Sequence, residues 1–184
     1  VKVEVEQRDQ YLQAVSAARR LRGGDYTDRS EDKARDEELA QRLFQPGFRE
    51  MAASEEFILT IAKDGMGKRS SAYEYRIAGR GGRGITGIEL GRGKKQRPSN
   101  IVAAYIVRDG DQIMMVSDGG QIIRCPIDQI SVVGRSARGV TVFKLAEAES
   151  LVSVSRLREE NGAGEGSDVD ERVVDDVNTK KQSN

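Results

Sequence analysis

The sequence predicts an all-β body of repeated four-stranded units, with a partly helical segment before it and a disordered acidic tail after it. Two observations lead there: an ungapped internal repeat at an offset of 55 residues, and short extended runs broken by Asp-Gly turns within each copy. A third is compositional. Aromatic residues make up 5% of the 184 and Trp is absent, so a core has to be built from Val, Ile, Leu and Met.

The repeat places Glu56–Leu90 on Asp111–Leu145. Ile58 meets Ile113, Gly65 meets Gly120, and Arg69 meets Arg124. Gly79, Arg80, Arg83 and Gly84 meet Gly134, Arg135, Arg138 and Gly139. Similarity resumes after a shorter connection, with Ile101–Arg108 against Leu151–Arg158. A period near 50 points to blades or another repeat array, each unit leaning on its neighbours.

Taken in order, residues 1–54 look unlike the rest. Arg8–Arg22 carries Tyr11, Leu12, Val15, Ala18 and Leu21 near helical spacing and is stopped by Gly23-Gly24. Ser30–Phe44 is a second candidate helix, opened by Ser30 and acidic residues, with a thin apolar face of Ala34, Leu39, Leu43 and Phe44. Residues 1–54 read as the end of a preceding blade plus an insertion or linker; a helical partner-binding arm is the alternative. Val1 is not an initiator Met, so the chain is expected to be cut from something longer.

Residues 55–108 form the first complete unit. FILTIAK, a turn at Asp64-Gly65 and a second extended run read as a hairpin. ITGIEL at 85–90 and IVAAYIV at 101–107 supply two further strands. Residues 109–158 repeat the scheme with QIMMVS, a turn at Asp118-Gly119-Gly120, QIIRC, VTVFKL and LVSVSRL. Four strands per unit is the size of a propeller-type blade. Residues 159–184 are polar and acidic, a composition that predicts disorder.

Composition also excludes functions. There is no His, which removes the usual general base and the commonest metal ligand. The single cysteine, Cys125, sits among Ile122, Ile123 and Ile127 and reads as a small core residue rather than a nucleophile. An autonomous enzyme is therefore disfavoured, no metal or cofactor is expected, and no run is apolar enough to span a membrane. The formal net charge of zero is a sum of unlike parts: residues 55–158 hold 17 basic and 11 acidic residues, and residues 159–184 hold 3 and 8. A basic body with an acidic tail suits a nucleic-acid partner, or is an ordinary surface beside a solubilising tail.

The chemistry concentrates in Ala78-Gly79-Arg80-Gly81-Gly82-Arg83-Gly84. Glycines let a tight loop approach a ligand, and forked guanidinium donors suit phosphate oxygens. The second copy, Gly134-Arg135-Ser136-Ala137-Arg138-Gly139, keeps both arginines in register. Repeated arginines on repeated loops would make a periodic basic rim matched to a bent duplex; solvated turns are the plain alternative. Arg92, Lys94, Lys95 and Arg97, in the loop Gly91–Asn100, add basic charge, and Lys68, Arg69 and Arg124 are read as supporting phosphate contacts. Tyr73 and Tyr75 read as β packing, not stacking platforms.

DGMGKRSSAYEYRIAGRGGRG, from Asp64 to Gly84, resembles a blade of the DNA gyrase A C-terminal domain family, with its G-x-G-K-R-T…Y…GRGGKG pattern. DQIMMVSDGGQIIRCPIDQISVVGRSARGV, from Asp111 to Val140, is similar to that family's final blade. The likeness runs over about Glu55–Arg158, and an acidic tail following the last blade fits it. Departures from the family's QRRGGKG box are Ala78 for Gln, Gly79 for the first Arg and Arg83 for Lys. The related C-terminal domain of topoisomerase IV has eroded boxes, so the GRGGRG loop, Gly79–Gly84, favours the gyrase relative.

The resemblance implies a β-pinwheel, a ring of propeller-like four-stranded blades. It implies double-stranded DNA wrapped on the basic rim, in a cytoplasmic A2B2 topoisomerase completed by the rest of the gyrase A protein and by the gyrase B protein. ATP and Mg would belong to the B protein, and the catalytic tyrosine to a part of the A protein not present here. Tyr11, Tyr26, Tyr73, Tyr75 and Tyr105 do not sit in its motif. A protein-interaction module is the competing function, since fold does not fix function. Asp168, Asp170, Glu171, Asp175 and Asp176 of the tail are expected to compete with DNA for the rim.

Overall fold

Three helices come first. In the computed structural model, which describes residues 3–23, 30–77, 79–90 and 99–158, they are α1 (Val5–Gly23), α2 (Ser30–Gln41) and α3 (Pro46–Ala53). Glu6 in the first turn of α1 and Arg20 and Arg22 in the last complement the helix dipole. Tyr11, Ala14 and Ala17 are its buried positions, one step around from the face that the larger apolar residues suggest. Arg20 grips Asp36 of α2 through two bonds of 2.7 and 2.6 Å. The second candidate helix is shorter than expected: α2 gives way to a 3-10 turn at Arg42–Phe44, where Phe44 is exposed. Pro46 then opens α3, its missing N–H costing nothing at a helix start. Phe48 and Met51 of α3 close a small core on Tyr11.

Among the described residues, 3–54 hold no strand. The described residues taken together are mixed rather than all-β, with helices in this segment and strands after it. This helical unit is seated on the blades. Tyr11 meets the Tyr73 ring edge-on at 5.6 Å and donates its hydroxyl to Glu55 at 2.8 Å, while the Tyr73 hydroxyl donates to the Met51 carbonyl at 3.1 Å. Burial, followed by the Glu55 carboxylate, raises the Tyr11 pKa well above its ordinary value.

Two antiparallel sheets follow. β1 (Phe57–Ala62), β2 (Met66–Ser71) and β3 (Ile101–Val107) belong to the first repeat; β4 (Gln112–Ser117), β5 (Ile122–Pro126), β6 (Val140–Thr141) and β7 (Leu151–Leu157) belong to the second. The sheet orders are β3-β1-β2-β6 and β5-β4-β7. Both hairpins stand where the Asp-Gly turns place them. The fourth strand of the first sheet is lent by the second repeat: β6 crosses over and pairs with β2, Met66 opposite Thr141 and Gly67 opposite Val140.

Two glycines make that crossing possible. Gly65 has φ +79°, and its carbonyl accepts from the Val142 and Phe143 amides. Gly139 has φ +90°, and a Cβ there would lie 2.3 Å from the Gly67 carbonyl oxygen. Residues 85–90, expected as a strand, hold none. Their counterpart in the second repeat becomes β6 by pairing with a strand of the neighbouring blade, and 85–90 has no such partner among the described residues. Strand formation here depends on the neighbour.

One core joins the sheets. Leu59, Ile61 and Val107 from the first pack with Ile113, Met115, Leu151 and Val154 from the second, closed by Ile127, Ile130 and Phe143. The Tyr105 hydroxyl crosses from β3 to the Val154 carbonyl at 2.6 Å. Cys125 is half-buried, and burial pushes its thiol pKa up, which suits a packing residue.

Candidate nucleic-acid interface

The two Gly-Arg loops adjoin. Chain leaving the first runs beside the second: Arg135 donates from its guanidinium to the Thr86 carbonyl, and the Glu89 amide donates to the Ala137 carbonyl at 3.4 Å. The segment that leaves the first loop is thus held against the second.

Their arginines differ in freedom. Gly79–Gly84 is exposed throughout, with Gly81 at φ +72°. Arg80 and Arg83 form no ion pair among the described residues, so their donors face solvent. Arg76, which the motif reading passed over, donates to the Arg83 carbonyl at 3.2 Å and adds a third exposed cation. Its signal was its place, just ahead of a loop rich in arginine. In the second loop Arg138 leans on Asp64 at 3.2 Å and keeps its Nε–H without a partner. Arg135 is half-buried and tied to Thr86. Gly82 and Gly84 are exposed, and Gly84 has open space beside it.

Lys68 and Arg69 need correction as supporting phosphate contacts. Lys68 is fully buried, and its ammonium donates to the carbonyls of Gly134, at 2.7 Å, and Arg135. Burial, partly opposed by nearby Glu74, lowers its pKa to about 8. Arg69 is 8% exposed; it donates to the Ile130 carbonyl at 2.7 Å, to Asp109 at 2.9 Å and to the Asp128 carbonyl at 3.3 Å. Its guanidinium also sits 5.8 Å from the centre of the Phe57 ring. Both cations spend their donors on the second blade, because a buried polar group must be satisfied where it lies. Arg124, in the same repeat position as Arg69, is exposed and donates to Gln112. Arg92, Lys94, Lys95 and Arg97 and the acidic tail lie outside the described residues.

Among the described residues no cluster of acids or cysteine could hold a metal, and no helix is long and apolar enough to cross a membrane. The described surface therefore offers a glycine-arginine rim, set on blades whose loops recur in register. The family description "DNA gyrase C-terminal domain, beta-propeller" matches residues 56–95 and 111–158. The chain belongs to this DNA gyrase A C-terminal family.

Whole-length relatives agree. The DNA gyrase A protein of Rickettsia conorii is 41% identical over 139 residues, 76% of this chain. The same protein of Rickettsia bellii is 36% identical over 180 residues, 96% of this chain, so that match takes in the N-terminal helices. The chain spans 15% and 18% of those two relatives. A solved DNA gyrase A C-terminal domain shares 31% identity, with 55% of this chain and 33% of that one covered and a TM-score of 0.49.

Proposed function

We propose that the chain binds duplex DNA along its paired Gly-Arg loops, as part of the wrapping surface of a gyrase A protein. The observation that carries this reading is that Arg80 and Arg83 of the first loop are exposed and form no ion pair among the described residues, while the segment leaving that loop is held against the second at Thr86. Phosphate oxygens are the complementary partner for forked guanidinium donors on a glycine backbone. Arg76 extends the same surface, and Arg92, Lys94, Lys95 and Arg97 would add charge from the segment that follows in the sequence. Arg138 would exchange Asp64 for phosphate.

Contacts of this kind position a duplex without reading bases, so sequence preference should be weak. The parent enzyme would be a cytoplasmic assembly with the remainder of the A protein and with the gyrase B protein as the ATP- and Mg-using partner. Wrapping would there set the hand of strand passage and support negative supercoiling. The acidic tail would act as a competitor for the rim at low salt.

The test is fluorescence anisotropy of a labelled duplex titrated with the chain across a salt series. Engagement of roughly five phosphates gives a log–log slope near −4.5. Changing Arg80, Arg83, Arg135 and Arg138 together to Ala, with folding checked by circular dichroism, should remove more than half of that slope. Affinity indifferent to salt, or equal binding by the folded variant, overturns the proposal.

A further inference from the structure

Lys68 and Glu74 are charged, come from the first blade, and close on the same two residues of the second. Lys68, on β2, donates to the carbonyls of Gly134 and Arg135. Glu74, in the 3-10 turn that follows β2, accepts the Arg135 amide on its Oε2 at 2.5 Å. We infer that Lys68 and Glu74 are positioning residues for the second Gly-Arg loop, gripping its backbone so that Arg135, Ser136 and Arg138 meet a phosphodiester backbone as one preformed surface. This rests on the DNA-binding reading above and assigns the second loop a supporting half in the neighbouring blade.

Peptide geometry gives the grip a direction. The Arg135 carbonyl and the Ser136 amide belong to one planar unit and point opposite ways. Drawing the carbonyl inward to Lys68 turns the Ser136 N–H outward, on an exposed residue. The Ala137 amide closes the turn on the Gly134 carbonyl at 3.0 Å. The loop therefore offers an amide donor between two guanidinium side chains, which is the composition of an anion-binding nest.

The repeat says that this is more than packing. Ile123 stands in the second copy where Lys68 stands in the first, so an apolar side chain satisfies that strand position. Gln129 stands where Glu74 does. The charged pair occurs in the copy whose neighbour presents a loop to be held. Burial holds the Lys68 pKa down near 8, the mark of an ammonium kept from water for the sake of its carbonyl partners.

The experiment is a set of duplex titrations with the whole chain at low salt. Lys68→Met, Glu74→Ala and Glu74→Gln are each measured alone and on an Arg135→Ala/Arg138→Ala background, after circular dichroism confirms folding. Lys68→Met and Glu74→Ala should each weaken binding about fivefold alone and less than about twofold on that background, because residues acting through one another are not additive. Glu74→Gln should restore affinity to within about twofold, since an amide oxygen still accepts the Arg135 N–H. Equal losses on both backgrounds, or no rescue by Gln, overturn the positioning role while leaving the DNA reading standing. Unchanged binding by the Arg135→Ala/Arg138→Ala protein overturns the DNA reading of the second loop, and the positioning role with it. Should Lys68→Met fail to fold, the Glu74→Ala and Glu74→Gln pair carries the same test.

Discussion

The two repeats hold the same residues in unlike surroundings. Leu59 is 0% exposed in the first sheet; its counterpart Met114 is 38% exposed in the second. Arg69 is buried among carbonyls of the second blade, while Arg124 lies in the open. β2 has β1 on one side and β6 on the other, whereas β5 pairs only with β4 among the described residues. A repeat position thus specifies a side chain and a direction, and the neighbour decides whether that side chain becomes core or surface. An arginine invited to be a phosphate ligand by its type and charge becomes an inter-blade staple once a second blade covers it.

The sharpest way to break this comparison is to delete both arginines in turn. Arg69→Ala leaves the buried Ile130 and Asp128 carbonyls without their guanidinium donor, which should cost about 1–3 kcal/mol for each. Arg124→Ala should cost no more than about 0.5 kcal/mol, as an exposed change does. Urea midpoints measure both, and equal costs would mean that the neighbouring blade does not matter.

A smaller effect separates two glycines with similar backbones. Gly139→Ala puts a methyl 2.3 Å from the Gly67 oxygen at φ +90° and should destabilise by about 2–3 kcal/mol. Gly81→Ala, at φ +72° but in open space, should cost only the backbone term, about 1–2 kcal/mol. Thermal melts that rank the two the other way would remove β6 from the interlock.

A third effect is a pH dependence. Lys68 titrates near 8 in the fold and in the ordinary lysine range when unfolded. Between those values the unfolded chain binds the extra proton, so stability rises with pH across that window and the full penalty is felt below 8. Relative to Lys68→Met, whose other titrating groups cancel, the native chain should gain on the order of 2 kcal/mol between about pH 7.5 and 10.5 in urea midpoints. A flat difference would mean that the two carbonyls fully offset the desolvation.

Much of this was legible in the residues alone. The Asp64-Gly65 and Asp118-Gly119-Gly120 turns announced both hairpins, because turn chemistry and alternation are local. The arginines of the loops fell in register because the repeat is ungapped. What escaped was set at a distance. Lys68 is buried by carbonyls 66 and 67 residues further on; the one local hint was an isoleucine in its place in the other copy. Residues 85–90 and 140–145 looked alike as strands, but only 140–141 found a partner. The third helix carried its own sign in Pro46, with Phe48 and Met51 three apart behind it.

The crossing of β6 also puts two kinds of unit out of phase. The stretch that evolution copies runs from one hairpin to the end of the next long strand, but the stretch that folds runs from β1 through to β6. Excising the second copy alone would therefore leave the first sheet without the strand that β6 lends it. A gene that counts in repeats encodes an object that can be divided only between strands of different repeats, which binds adjacent blades into one cooperative fold and ties the fate of each DNA-facing loop to the copy beside it.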